Sequence, residues 1–192
     1  MIAKLIWAIR AVLYKPFFGK IGFPGYIGSP TFLKGTRNIF IGQRVRIFPN
    51  IRLETHGANG KIHIEDNVAI AQNVHITSAS HLLISASTTI LANVFITNID
   101  HDYQEIGIHI MEQEYLIKET SIGENCYIGM GSCIQAGTVL GKQCVVGANS
   151  VVRGVFPDYC VIVGAPAKIV KRFNAESRVW EKTKPDGTFL QQ

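Results

Sequence analysis

Aliphatic residues recur at every sixth position from Ile122 through Ile128, Ile134, Leu140 and Val146 to Val152. Glycine follows four of them, at Gly123, Gly129, Gly141 and Gly147. A small side chain stands four residues after each of the first five, at Cys126, Ser132, Thr138, Cys144 and Ser150. A helix repeats about every 3.6 residues and a plain strand every two, so neither produces this register. The pattern predicts an all-β fold, a parallel β-helix in which each hexad supplies one short strand and one corner. The aliphatic and small side chains point into a narrow core, and glycine relieves crowding where the backbone bends.

The register extends towards the N-terminus with breaks of phase. Ile41, Ile47 and Leu53 form one set, with Val45 and Ile51 in the inner slot. Ile64, Ile70 and Ile76 form a second, with Val68 and Val74, and Ile84, Ile90 and Ile96 a third, with Thr88 and Val94. The count slips over Glu54–His63 and Thr77–Leu83, and most widely between Ile96 and Ile122. An interruption of that length must leave the coil as a protruding loop, placed here at 99–120, and long loops in compact folds are more often functional than not.

The chain is long enough for one elongated domain whose end turns need caps. The expected organisation is an N-terminal helical cap at 1–20, a β-helix domain at 21–172 and a C-terminal helix and tail at 173–192. In the N-terminal segment Ile2, Leu5, Ile6, Ile9, Val12 and Leu13 share one helical face. That stretch is too short and interrupted to span a bilayer, and it has no small-residue cleavage site. It fits a helix packed on the first coil or on a neighbouring subunit, or an interfacial anchor carrying Trp7 with basic flanks in peripheral contact with a membrane. The net charge of +5 is modest and the basic residues form no aromatic-interleaved run, which argues against a nucleic-acid groove. Four Cys without metal-ligand spacing read as buried, reduced thiols of a cytoplasmic protein, at the inner face of the membrane if the helix anchors it.

The hexads, the run Ile162-Val163-Gly164-Ala165-Pro166-Ala167-Lys168 and a His in the long interruption resemble the hexapeptide-repeat acyltransferases. The likeness is to the galactoside and maltose O-acetyltransferases and to the acetyltransferases of O-antigen, capsule and exopolysaccharide synthesis. It covers roughly Ile41 to Arg172. The resemblance implies a left-handed winding, a homotrimer with active sites between subunits, acetyl-CoA as donor, a sugar acceptor and no metal.

Transfer of an acetyl group to a hydroxyl requires removal of the hydroxyl proton, and a side chain titrating near neutrality does this best. His101 follows Ile96-Thr97-Asn98-Ile99-Asp100, where the coil yields to the loop, and the resembling family places its base at the start of this interruption. Asp100 or Asp102 could orient the imidazole, as the acid of a triad does, or could cap a turn. For the donor, the resemblance points to a groove between coils carrying Tyr127, Met130, Gly131, Ala136 and Ala148. Tyr127 stands where many relatives have Trp, which weakens a stacking role. Arg153, Lys168 and Lys171 suit the phosphates of CoA, because charge-assisted contacts to phosphate are strong. For the acceptor, register alignment points to Gln72, Ser80 and Asn98, and the loop Gln104–Thr120 is expected to select the sugar. Asn73 and Asn93 fall in a corner slot where Asn tolerates unusual dihedrals.

Other functions remain open on these residues. N-acetylation of an amino sugar uses the same donor and scaffold. A zinc carbonic anhydrase of the same winding would need a three-His site, for which His75, His81 and His101 are available but without the expected spacing. A non-catalytic scaffold is the third.

Overall fold

In a computed structural model the chain winds into a β-solenoid of seven coils with three strand faces, preceded by one α-helix. The structure describes residues 2–190, so Met1 of the N-terminal segment and Gln191 and Gln192 of the tail lie outside it. The first face stacks Lys20–Ile21, Ile39–Ile41, Lys61–Ile64, His81–Ile84, Thr120–Ile122, Val139–Leu140 and Val155–Phe156. The second stacks Tyr26–Ile27, Arg46–Ile47, Ala69–Ile70, Thr89–Ile90, Tyr127–Ile128, Val145–Val146 and Cys160–Gly164. The third stacks Phe32–Lys34, Arg52–Thr55, His75–Ser78, Phe95–Thr97, Cys133–Ile134 and Val151–Val152. Within each face successive coils pair in parallel and in register, Ile64 on Ile84 on Ile122 on Leu140. The aliphatic hexad residues thus stack as three buried columns.

A coil also precedes the set at Ile41: Ile21, Ile27 and Leu33 keep the same six-residue step. Ile21 and Ile27 are buried and Leu33 packs against the core. The glycine after an aliphatic residue sits against the next coil. A Cβ on Gly123 would lie 2.4–2.5 Å from the carbonyl of Gly141, and one on Gly129 2.6 Å from the amide of Ala148. From the second coil on, the third residue after the aliphatic one turns the first-to-second and second-to-third corners in the left-handed region, including Asn67, Asn73, Asn93, Asn125 and Asn149. Asn73 donates to Asn93 at 3.1 Å across two coils, which fits the corner role expected for this pair.

All the phase slips fall on one edge. From first to second face and from second to third the step is always six residues. Every irregular connection, including the loop 98–119, joins the third face of one coil to the first face of the next.

The helix Ile2–Tyr14 packs on the first coil, but not through the aliphatic face read from the sequence. Ala11 is buried, Trp7 packs with Tyr26 and Phe48 at 5.7 Å, and Tyr14 stacks on Phe18. The C-terminal helix expected after Phe173 is not formed. Ala167–Asn174 and Val179–Lys182 make an antiparallel hairpin that continues the second face. Ala167 and Ile169 are buried two residues apart, the period of a strand, and Phe173 meets both Tyr159 and Trp180.

Candidate active site

The loop leaves the coil at Asn98, and its first segment folds as a two-stranded antiparallel ladder, Ile99–His101 against Tyr115–Ile117. That ladder fixes the position of His101 on an otherwise irregular excursion. Its ring stands perpendicular to Tyr115 with centroids 4.9 Å apart. The residue is half-buried, and Nδ1 is enclosed without a hydrogen-bond partner.

Neither neighbouring acid orients the imidazole. Asp100 accepts from the His101 backbone N–H through Oδ1 at 3.2 Å and pairs through Oδ2 with Arg153 at 2.8 Å. Asp102 accepts from the N–H groups of Tyr103 and Gln104, an Asx turn that starts the outer loop. The acid–His pair expected from the sequence is therefore not made within this chain, because both carboxylates are engaged by nearer donors. Arg153, expected on a CoA phosphate, is occupied with Asp100 instead. Beside this pair opens a cleft of about 160 Å³ lined by Asp100 and Arg153 with Phe95, Thr97, Ile99, Cys133, Gln135 and Ala136.

The other expected positions divide between edges. Gln72, Met130, Gly131 and Ala148 lie where the second face turns into the third. Their coils are tied by hydrogen bonds from Asn93 to Gln72, from Gly131 to Ala92 and from Asn149 to Met130. Tyr127 is exposed on the second face beside this edge, and Lys168 and Lys171 lie on the strand that extends that face. Ala136, Ser80, Asn98 and His101 belong to the slipping edge between third and first faces. A site using both groups cannot form on one edge of a single chain.

Asn98 is a correction. Its side chain is fully buried, accepting from Ala79 N at 2.9 Å and donating to Ser78 Oγ, Ser80 Oγ and the His81 carbonyl. It braces the corner from which the loop springs and presents no surface to a sugar hydroxyl. Ser80 is half-buried and partly used by the same brace.

His75 and His81 stand on different faces. His75 meets Glu54 at 2.9 Å on the third face, and His81 meets His63 at 2.7 Å on the first. The Glu54 group escaped the sequence reading, which assigned Glu54 and His56 to a phase break. Glu54 is buried and touches Arg52, His75 and His56. Burial pushes its carboxyl up, but the Arg52 hydrogen bond and charge, with His75, hold it below the usual value. Nothing in the sequence marks Glu54 as buried; the structure sets it in register with Thr77 on the third face.

A hexad-built parallel β-helix with one long His-bearing loop defines the class of hexapeptide-repeat transferases. The family model "Bacterial transferase hexapeptide (six repeats)" matches residues 119–154. An Escherichia coli protein named as a lipopolysaccharide biosynthesis O-acetyl transferase, WbbJ, is 34% identical over 163 residues, covering 81% of this chain and 83% of its own. The galactoside O-acetyltransferase of the same species is 26% identical over 165 residues, 86% of this chain and 69% of that protein. This chain belongs to the hexapeptide-repeat acetyltransferase family, and it is an acetyltransferase. Among solved structures, AntD, an N-acyltransferase from Bacillus cereus in complex with dTDP and 3-hydroxybutyryl-CoA, superposes with TM-score 0.70 at 18% identity. That match covers 88% of this chain and 90% of AntD. A galactoside acetyltransferase in complex with coenzyme A gives TM-score 0.56 at 22% identity, over 95% and 78% of the two chains.

Proposed function

We propose that the protein transfers the acetyl group of acetyl-CoA to a hydroxyl of a saccharide precursor of lipopolysaccharide, capsule or exopolysaccharide, with His101 as general base. The observation that carries this reading is the placement of one half-buried imidazole, fixed by a strand ladder where the loop leaves the coil and next in sequence to the Asp100 that lines the cleft. The relatives named for O-acetyl transfer supply the reaction class.

With Nδ1 enclosed, Nε2 is the nitrogen left for substrate. It takes the proton of the acceptor hydroxyl as that oxygen attacks the thioester carbonyl. The proton passes to the departing CoA thiolate when the tetrahedral intermediate collapses. A backbone N–H near the thioester would stabilise the oxyanion, a contribution of about 3–4 kcal/mol in other acyl transfers. The residues present suit the donor: Gly129, Gly131 and Ala148 leave the second-to-third edge narrow, and Lys168 and Lys171 are exposed beside it for phosphate. That edge and the His101 edge belong to different sides of one solenoid. The site is therefore completed by a second copy, in a homotrimer whose grooves bring one edge of each kind together.

Replacement His101→Ala is expected to lower turnover by about 100- to 10,000-fold while acetyl-CoA affinity stays near the parent value. The assay is transfer from labelled acetyl-CoA to a panel of hexoses and nucleotide sugars, with product analysis separating O- from N-acetylation. Retention of activity by His101→Ala would refute the assignment.

A further inference from the structure

The helix Ile2–Tyr14 is apolar on two sides, and only one is covered. Trp7, Ala11 and Tyr14 take the side against the solenoid. The other carries Ile2, Leu5, Ile6, Ile9, Val12 and Leu13 at three- and four-residue spacing, each between 48% and 77% exposed. Phe17 and Phe23, 62% and 57% exposed, continue the row past the helix. These side chains do not hold the helix in place, and contiguous apolar exposure of this kind marks an interaction surface.

The charge distribution says which surface fits. Residues 1–53 contain nine Lys and Arg and no Asp or Glu, the first acidic residue being Glu54. The remaining 139 residues hold 10 basic and 14 acidic side chains, so a net charge of +5 separates into +9 at the helix-bearing end and −4 elsewhere. The cations flank the apolar row. Lys4 lies over Tyr26 and Lys15 over Phe23, while Arg44 and Arg46 edge an apolar groove of about 390 Å³ beside Ala8, Phe23 and Tyr26. Two copies meeting through this face would set these cations against one another. No helix among the described residues is long and apolar enough to cross a membrane. A 13-residue helix with an aliphatic face and a cationic surround is suited to lie in an interface.

We propose that the first-coil end of the solenoid docks on an anionic lipid bilayer, the Ile2–Leu13 row entering the headgroup–acyl boundary and the surrounding Lys and Arg meeting lipid charge. The proposal does not depend on the acceptor or on His101. It sets the His101 loop, between the fourth and fifth coils, roughly 20 Å from the docked end at about 4.8 Å per coil.

The test is flotation of the full chain with vesicles of phosphatidylcholine alone, or with about one third phosphatidylglycerol, at low and high salt. Flotation with the anionic vesicles only, released by salt, is expected. Ile6→Asp with Ile9→Asp, both exposed, should abolish it without changing the circular dichroism spectrum. Lys15→Glu with Lys20→Glu, which leaves the apolar row intact, should weaken partitioning by more than about tenfold, at about fivefold per cation lost. Parent protein that stays unfloated, or floats equally on neutral vesicles, overturns the proposal. So does flotation of either variant at the parent level. A fall in solution mass of the Ile6→Asp, Ile9→Asp variant, read by light scattering, would assign the row to a contact between copies and equally overturn it.

Discussion

Arg153 Nη2 lies 2.8 Å from Asp100 Oδ2 and ties the sixth coil to the strand that carries His101. The partners are 53 residues apart in sequence and both about half exposed, so their pairing adds at most about 1 kcal/mol to stability. Its consequence is positional, because misplacement of a reacting group by about 1 Å can lower rate by about 100-fold. Arg153→Ala and Asp100→Ala are each expected to reduce kcat by about 10- to 100-fold, and the double variant by no more than either. The KM for acetyl-CoA should change little. Were Arg153 a phosphate ligand, its variant alone would raise that KM, so steady-state kinetics on the three proteins decides between the roles.

Gly129 gives a stability prediction of a different kind. Its backbone needs no left-handed dihedral, yet a Cβ there would stand 2.6 Å from the amide of Ala148 and the carbonyl of Val146. The coils would have to separate, and overpacking of this sort costs about 1–3 kcal/mol. Gly129→Ala should lower the denaturation midpoint accordingly. Gly57→Ala, at a turn where an added Cβ meets no atom, serves as the comparison for conformational strain alone.

The sequence was informative wherever one position obeyed one constraint. Ile, Leu and Val at six-residue steps have no role but the core, so the three faces and the loop could be read directly. The slips were legible as interruptions, though only the fold reveals that all share the edge from which His101 emerges. Positions under two constraints misled. Asn98 reads as a polar group near a base, but its amide is consumed by Ala79, Ser78, Ser80 and His81. Arg153 reads as a phosphate ligand because nothing local announces Asp100 as its partner. The aliphatic face of Ile2–Tyr14 reads as the packing face, while Trp7 and Ala11 on the other side pack. The C-terminal strands were missed because polar composition was weighed above the two-residue step of Ala167 and Ile169.

Cys133 sits in the cleft beside Gln135 and Ala136, half-buried, and burial pushes its thiol up. A thiol held in that state is a poor nucleophile. Direct transfer to the acceptor requires nothing of it. Cys133→Ser is expected to keep turnover within about threefold of the parent, since a hydroxyl fills nearly the same space. Loss of activity with normal acetyl-CoA binding would instead indicate an acyl-enzyme, which rapid-quench mass measurement of the parent would then detect. The other three thiols are bonded to carbonyls inside the coil, Cys126 to Gly141, Cys144 to Pro157 and Cys160 to Asp158.

Acidification should destabilise the solenoid, and two groups on separate faces give the same sign. Burial holds His75, His56 and His63 below the ordinary imidazole value of 6.5; Glu54 pulls the first two back only in part, and His81 at 2.7 Å pushes His63 further down. Unfolded, these rings take up protons as pH falls through 6.5, while the folded chain resists, so the unfolded state gains. Glu54 is held below its ordinary value of 4.5, chiefly by Arg52 against the opposing effect of burial. Its contribution is present above 4.5 and is lost as pH falls through the lower folded value. Stability is therefore expected to be flat above neutrality, to decline from about pH 6.5 as the imidazoles titrate, and to fall again below about 4.5. Thermal denaturation midpoints at half-unit steps from pH 8 to pH 4 provide the measurement. His75→Gln should shallow the upper decline and, because His75 is one of the groups that hold Glu54 low, lessen the lower one as well. An upper decline of unchanged slope in that variant, or a midpoint that rises on acidification, would show that this imidazole does not set the pH response.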